Sequence, residues 1–314
     1  MIVEEPTPDY VAGKVSWSKL ACFSRCQKLF FWRYIMKRRE PMSWALLFGR
    51  GAHEGMEADA YAKLRGDKLS VRQVLDAAVE GFKAERTKEG MTDKEAPTDN
   101  FADEHLTQLE VFEKTGERAR IQPRPGSVEG AFEIDVLVGT PQEGLTPAKV
   151  EGFVDVVSDS EAGPVVVDYK TGSRPVSAKE AAGHLQLALE AIGGGVGSAR
   201  IVSFVRRYKQ KPTAKVTPDV VIDDVRRGRV LQYVADTIHA IRKCIKNGFY
   251  AKCSPVSTTC AGCAFFEECH GRERPTALHK FVQVEKIQPV GTLPPAKWRE
   301  SVAGRKERER TTTA

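Results

Sequence analysis

Apolar residues recur at helical spacing through most of the first 115 positions and then give way to short, nearly continuous apolar runs. The chain therefore passes from helix to sheet part-way along. Ser16 or Ser18 can cap a first helix that carries Leu20, Phe23, Leu29, Phe30 and Tyr34 on its apolar side. Residues 44–64 continue as helix and set His53 and Glu57 one turn apart on one face. Ser70 opens another helix, with Val71, Val74, Leu75, Val79 and Phe82 inward; 88–100 is a polar loop and 101–115 is helical again. Segments 131–139, 148–157 and 164–170 are rich in Val, Ile and Phe and bounded by Gly and Pro, as strands are. Ser177 and Glu180 form a capping box that opens a helix to about Ala191, ended by Gly193 to Gly195. Strands over 200–207 and 214–222 follow. Val225, Leu231, Val234, Ile238, Ile241 and Ile245 then mark a long helix that stops at Asn247-Gly248.

This order predicts one α/β domain over 16–288, made of a helical region (16–125), a sheet core (126–222) and a helix with a cysteine loop (223–288). A loose segment, 1–15, precedes it. The Pro-rich, then charged stretch 289–314 reads as a disordered basic tail.

Charge sharpens the picture only slightly. The net +6 suits a polyanionic partner, but Ala296–Ala314 carries six Lys/Arg against three Glu, half of that excess. The body is close to neutral, so a nucleic-acid site must be a local patch. The acidic start MIVEEPTPDY is not a signal peptide, and no run approaches the length of a membrane span, which predicts a cytoplasmic chain with no membrane partner. Seven cysteines in such a chain point to metal ligation before disulfides.

Two constellations carry chemistry. Gly152-Phe-Val-Asp155 ends one predicted strand, and Val167-Asp168-Tyr-Lys170 lies near the end of the next. Adjacent hairpin strands would bring both carboxylates to one rim, with Lys170 on the same side as Asp168. Paired carboxylates suit Mg²⁺ or Mn²⁺, and a neighbouring ammonium can orient a water or offset charge developing at a phosphate. His53 can add a ligand. Each feature alone is common among solvated strand ends; their ordered combination is what selects a site. The second constellation is Cys260-x2-Cys263-x5-Cys269, three soft ligands in one loop, which need a fourth from elsewhere and suit either an iron–sulfur cluster or zinc.

In series, Ser16-Trp-Ser-Lys-Leu20 through Cys26 and Phe30, Gly49-Arg-Gly-Ala-His53, Gly152-Phe-Val-Asp155, Val167-Asp168-Tyr-Lys170-Thr-Gly172, Gln186-Leu-Ala-Leu and the terminal cysteines resemble the RecB-like family of PD-(D/E)xK nucleases. The likeness is greatest to the CRISPR-associated Cas-four-type exonucleases and the AddB-type nuclease domains. It implies a restriction-endonuclease-like core, a small mixed sheet flanked by helices, with an iron–sulfur loop at its C-terminal end. It further implies that His53, Asp155, Asp168 and the Tyr169 carbonyl bind the catalytic metals, that Lys170 is the catalytic lysine, and that Gln186 orders the site. The family's Gln-x-x-x-Tyr motif has Glu190 in place of its tyrosine here. Cys26 would be the fourth ligand of a [4Fe–4S] cluster with Cys260, Cys263 and Cys269, clamping the two ends of the chain together. Cys253 is a spare thiol, and His184 is a candidate phosphate contact.

Arg206, Arg207, Tyr208, Lys209 and Lys211 form a basic cluster with an interleaved aromatic, a pattern suited to single-stranded DNA. The expectation is a metal-dependent DNA exonuclease acting on single strands or ends in recombination, repair, phage DNA metabolism or CRISPR adaptation. No P-loop is present, so unwinding would fall to a helicase partner. The alternative is a catalytically weak nucleic-acid-binding adaptor that keeps the fold.

Overall fold

The computed structural model describes residues 13–206, 211–254 and 257–270. The expected tail and the end of the cysteine segment beyond 270 lie outside the described residues.

The first helix of the sequence pattern is three pieces. After strand β1 (Lys14–Ser16), helix α1 (Trp17–Arg25) ends at an extended Cys26, whose sulfur accepts the Leu29 N–H and so caps α2 (Gln27–Phe30); a π-helical turn, Phe31–Ile35, follows. Ser16 does not cap α1 with its side chain, because its hydroxyl lies 2.9 Å from that of Ser18. Next come α3 (Trp44–Leu64), α4 (Val71–Lys88) behind a Ser70/Gln73 capping box, α5 (Thr98–Lys114) and α6 (Glu117–Arg120). A Cβ added at Gly55 would meet the Ala78 Cβ at 2.8 Å, so that glycine is what lets α3 and α4 approach so closely.

The sheet region comprises β2 (Gln122–Pro123), β3 (Gly130–Thr140), β4 (Gly144–Val154), β5 (Val156–Asp159), β6 (Val165–Gly172), α7 (Ala178–Ala182), α8 (Leu185–Gly193), β7 (Ser198–Val205), β8 (Thr213–Val216) and β9 (Val220–Val221). Helices α9 (Asp224–Asn247), α10 (Thr258–Ala261) and α11 (Phe266–His270) complete the described chain. The strands form not one small sheet but a three-stranded sheet, β1-β4-β3, and a six-stranded one, β2-β5-β6-β7-β8 with β9 also on β7. The strand expected over 148–157 breaks at Asp155, with β4 in the first sheet and β5 in the second. The apolar pattern cannot reveal such a corner, since Val154, Val156 and Val157 on its two sides are all buried. The helix expected from Ser177 to Ala191 also divides, at Gly183-His184; the capping box holds only α7, and His184 caps α8 through Nδ1, which accepts the Leu187 N–H at 3.4 Å. Thr217 to Asp219 separates β8 from β9, as Pro218 has no N–H to give a ladder.

Strand β6 pairs antiparallel with β5 and parallel with β7, and its first five residues are buried, the signature of a strand covered on both faces. Val166 packs with Leu187, Ala188 and the α9 residues Val234 and Ile238, whereas Val165, Val167 and Tyr169 pack with Met56 and Ala60 of α3 and with Phe112 of α5. Alternation therefore sends the Asp168 and Lys170 side chains to the α8 face and Tyr169 to the α3 face. Among the described residues, no helix is long and apolar enough to cross a membrane.

Candidate active site

The corner at Asp155 is the centre of the site. Val156 pairs with Val167, so Asp155 stands opposite Asp168 where β5 begins. Asp155 Oδ2 accepts the Tyr169 N–H at 2.7 Å, holding the carboxylate against the free edge of β6. A residue in a strand sends its N–H and C=O to the same edge, so the Tyr169 carbonyl faces that side as well.

On the α3 face, His53 Nδ1 lies 3.6 Å from Asp155 Oδ2, and its ring stands edge-on to Tyr169 at 6.2 Å. Glu129 completes this side. It adopts a left-handed backbone (φ 48°), uncommon for a residue with a side chain, and its N–H donates to the Asp155 carbonyl at 3.0 Å. Ligand atoms of His53, Glu129 and Asp155 all lie within 4.8 Å of one another, a spacing that suits a single cation. The three open onto a cleft of about 660 Å³ also lined by Arg50, Glu54, Glu57 and Lys170. Burial, then Asp155 and Glu57, push the Glu129 carboxyl up to about 7. Burial raises Asp155 too, and Asp168 adds to the rise against the pull of His53, Lys170 and the Tyr169 N–H.

On the α8 face runs a chain of polar contacts. Lys170 Nζ donates to Asp168 Oδ1 at 2.6 Å and to Gln186 Oε1 at 3.2 Å; Gln186 Nε2 donates to Glu190 Oε1 at 2.7 Å. Asp168 and Glu190 are 1% and 3% exposed, and the second oxygen of each, Asp168 Oδ2 and Glu190 Oε2, has no hydrogen-bond partner among the described residues. Burial alone would lower the Lys170 ammonium, but the Asp168 carboxylate bonded to it opposes this and the net shift is upward, so Lys170 is charged. Burial and Asp168 together push the Glu190 carboxyl well above the usual carboxylate range and favour the neutral acid. Buried oxygen atoms are rarely left unpartnered, and an orphaned carboxylate oxygen beside Asp155 fits a hard divalent cation with oxygen ligands.

The sequence profile of the PD-(D/E)XK nuclease superfamily matches residues 14–270. The chain belongs to this superfamily. No curated protein matches it at a significant level. Among solved structures, a candidate exonuclease from Eubacterium rectale is similar over 90% of this chain and 98% of its own, at 13% identity and a TM-score of 0.48. The structure of SSO0001 is similar over 65% and 78% respectively, at 12% identity and a TM-score of 0.29.

Within this superfamily member, His53, Asp155, Asp168, Tyr169, Lys170 and Gln186 converge on the two sides of one strand end. They do not form a single shell. The compact triad contains Glu129, and Asp168 stands outside it, engaged by Lys170 on the opposite face of β6. Glu129 carries no motif in the sequence; its one signal is a carboxylate just before the Gly130 that starts β3, and its meaning appears only when β3 and β4 pair. His184 is spent on capping α8.

The cysteine loop meets the N-terminal helices. The Trp32 indole N–H donates to Cys269 Sγ at 3.3 Å, Arg38 pairs with Glu268 at 2.8 Å, and Lys28 N–H donates to the Ala251 carbonyl at 3.0 Å. Burial, then Cys253, Cys263 and Cys26, push the Cys260 thiol up to about 11; burial is also the main cause of the rise at Cys263, with Cys269 and Cys26 contributing. Cys260 Sγ also lies 3.2 Å from His270 Nε2, but among the described residues no three of the thiols lie within 4.8 Å of one another. Cys22 is packed in the core. In the basic cluster, Arg206 donates to Glu104 Oε2 at 2.8 Å and lies over the Phe48 ring at 4.4 Å; Lys211 is exposed. Arg207, Tyr208 and Lys209 lie outside the described residues.

Proposed function

We propose that the chain is a metal-dependent DNA exonuclease acting on single-stranded DNA or DNA ends. The observation that carries this reading is the buried Asp168 carboxylate, one oxygen held by a charged Lys170 and the other unpartnered, opposite Asp155 at the rim of a cleft. His53, Glu129, Asp155, Asp168 and the Tyr169 carbonyl would hold Mg²⁺ or Mn²⁺. When bound, such ions lower the pKa of water and offset charge on a phosphodiester. The Tyr169 N–H holds the Asp155 carboxylate to β6 and the Glu129 N–H holds the Asp155 carbonyl, so the Asp155 carboxylate is fixed before substrate arrives. Lys170 presents an ammonium at the same rim, where it can orient the attacking water and stabilise negative charge growing on the phosphoryl oxygens. Gln186, braced by neutral Glu190, holds that ammonium in place. Glu190, where the family's motif has tyrosine, accepts the Gln186 amide N–H at 2.7 Å.

The four thiols Cys26, Cys260, Cys263 and Cys269 form a soft donor set that fits a structural [4Fe–4S] cluster, with zinc the alternative metal. Their setting between the N-terminal helices and the C-terminal loop supports a clamp. A helicase or recombination partner would supply any unwinding.

The test is incubation of anaerobically purified protein with end-labelled single-stranded DNA and Mg²⁺ or Mn²⁺, beside Lys170→Ala. Cleavage by the unaltered chain, abolished by chelator and by Lys170→Ala, is the expected outcome. Folded, metal-loaded protein that binds DNA without cutting it would instead favour the adaptor reading, for which the replacement of tyrosine by Glu190 is the supporting observation.

A further inference from the structure

Large exposed side chains are few, and one of them stands beside the candidate catalytic carboxylates. Phe153 is 63% exposed, two residues before Asp155. It joins none of the three hydrophobic clusters. Strand register explains its bareness. Phe153 pairs across the hairpin with Ala131, whose methyl is too small to cover a ring. On its other flank β1 stops at Ser16, opposite Glu151, so no strand residue lies beside Phe153 there. The neighbouring Gly152 is needed for a different reason: a Cβ at that position would meet the Phe132 ring at 2.7 Å on the buried side.

The same register ties Phe153 to the chemistry. The hairpin register ends at Gly130 and Val154, and just beyond it the Glu129 N–H donates to the Asp155 carbonyl at 3.0 Å. Residues two apart on a strand are separated by about 6.5 Å. Phe153, two residues from the Asp155 corner, therefore stands just outside the residues that line the cleft. An exposed aromatic face offers sequence-tolerant stacking to any base that is not already paired and stacked, whereas a duplex keeps its base faces covered.

We propose that Phe153 is the platform on which the base beside the scissile phosphodiester stacks, so that the site takes an unpaired nucleic-acid strand rather than an intact duplex. This rests on the nuclease reading above. Phe153 is then a positioning residue: it seats the strand while Asp155, two residues on, and Glu129, bonded to it through the backbone, face the phosphate.

The experiment compares binding of a labelled single-stranded DNA oligonucleotide, in Mg²⁺, by full-length Lys170→Ala protein and by the same protein carrying Phe153→Ala, Phe153→Leu or Phe153→Trp. Stacking predicts that Phe153→Ala weakens binding about 5- to 150-fold, the range of one base–aromatic contact. Phe153→Trp keeps the affinity and Phe153→Leu does not restore it. On an oligonucleotide of the same length made of abasic sites, Phe and Ala proteins bind equally. Equal affinities for the base-bearing strand, or an equal loss on the abasic strand, would overturn the proposal. So would light scattering that shows Phe153→Ala dissolving a dimer while DNA affinity is unchanged, which would assign the ring to a second copy of the chain. The unaltered protein is assayed for cleavage alongside. Cleavage with no effect at Phe153 removes this inference alone, whereas neither cleavage nor binding removes the nuclease reading and this one with it.

Discussion

Glu129 and Asp168 divide the candidate metal ligands between two faces of one strand, and each face makes its own prediction. Glu129→Gln keeps the side chain's shape and removes its charge, so Mn²⁺ affinity measured by titration calorimetry should fall by about tenfold or more, as loss of one of a few ligands implies. With its carboxyl at about 7, Glu129 is partly protonated in the metal-free protein at neutral pH and must lose that proton to ligate. Metal binding should therefore release protons below pH 7 and weaken as the pH falls, and the release should shrink in Glu129→Gln. On the other face, Lys170→Ala should lower kcat at least about 100-fold, the scale of a lost charge-stabilising group in a site, while Lys170→Arg fails to restore it because the bulkier fork cannot meet both Asp168 and Gln186. The candidates at 53, 155 and 168 stand out in the sequence because hard-cation chemistry restricts which side chains can serve, and Lys170 stands out by its place two residues after Asp168. Glu129 was not, because a lone glutamate before a glycine has no distinguishing context until pairing sets it against Asp155.

At the scale of elements, α3 carries His53, and what holds α3 is a buried ion pair. Arg118 Nε donates to Asp59 Oδ2 at 3.2 Å and its Nη2 to the Leu69 carbonyl at 2.7 Å, with both charged residues at most 2% exposed. Arg118→Ala would leave the buried Asp59 with Lys63, 3.0 Å away, as its remaining charged partner and would leave the Leu69 carbonyl without its donor; it should cost about 1–3 kcal/mol, read as a lower denaturation midpoint in urea. Between α5 and the six-stranded sheet, His105 is fully buried against Phe48, Phe101 and Phe204, and burial lowers its pKa from 6.5 to about 4 despite the Gln108 contact. The unfolded chain then binds a proton that the folded chain refuses. Its contribution is complete above pH 6.5 and is lost as the pH falls from there towards 4, up to about 3 kcal/mol. Stability measured across that window should slope less steeply in His105→Phe. Helical periodicity located α3, α4 and α9 nearly to the residue, because amphipathic helices and capping boxes are local. The division of α1 from α2 at Cys26, and of α7 from α8 at His184, depends on what each break contacts and left no mark on the apolar spacing.

For the whole molecule, the N-terminal helices and the cysteine loop, far apart in sequence, meet through Trp32, Arg38 and Lys28. A metal group on Cys26, Cys260, Cys263 and Cys269 would close a loop of more than 200 residues, a constraint worth up to about 5.5 kcal/mol through the unfolded state. Cys26→Ser should therefore remove the visible absorbance of the purified protein and lower its melting temperature, whereas Cys253→Ser should leave the absorbance in place. A colourless protein containing stoichiometric zinc, also lost in Cys26→Ser, would assign the clamp to zinc and not to iron and sulfur.

The sequence by itself determined the class of the chain and the candidates for its chemistry: the helix-to-sheet order, the strand that carries Asp168 and Lys170 on one side, and the cysteine spacing. These follow from local periodicity and from the narrow choice of ligand types. Only the tertiary structure decided that the sheet is two sheets, that one chain corner separates them at Asp155, and that Glu129 and Phe153 flank that corner. Strand register joins residues with no local relation, and it is set by the packing of both sheet faces at once rather than by any single segment.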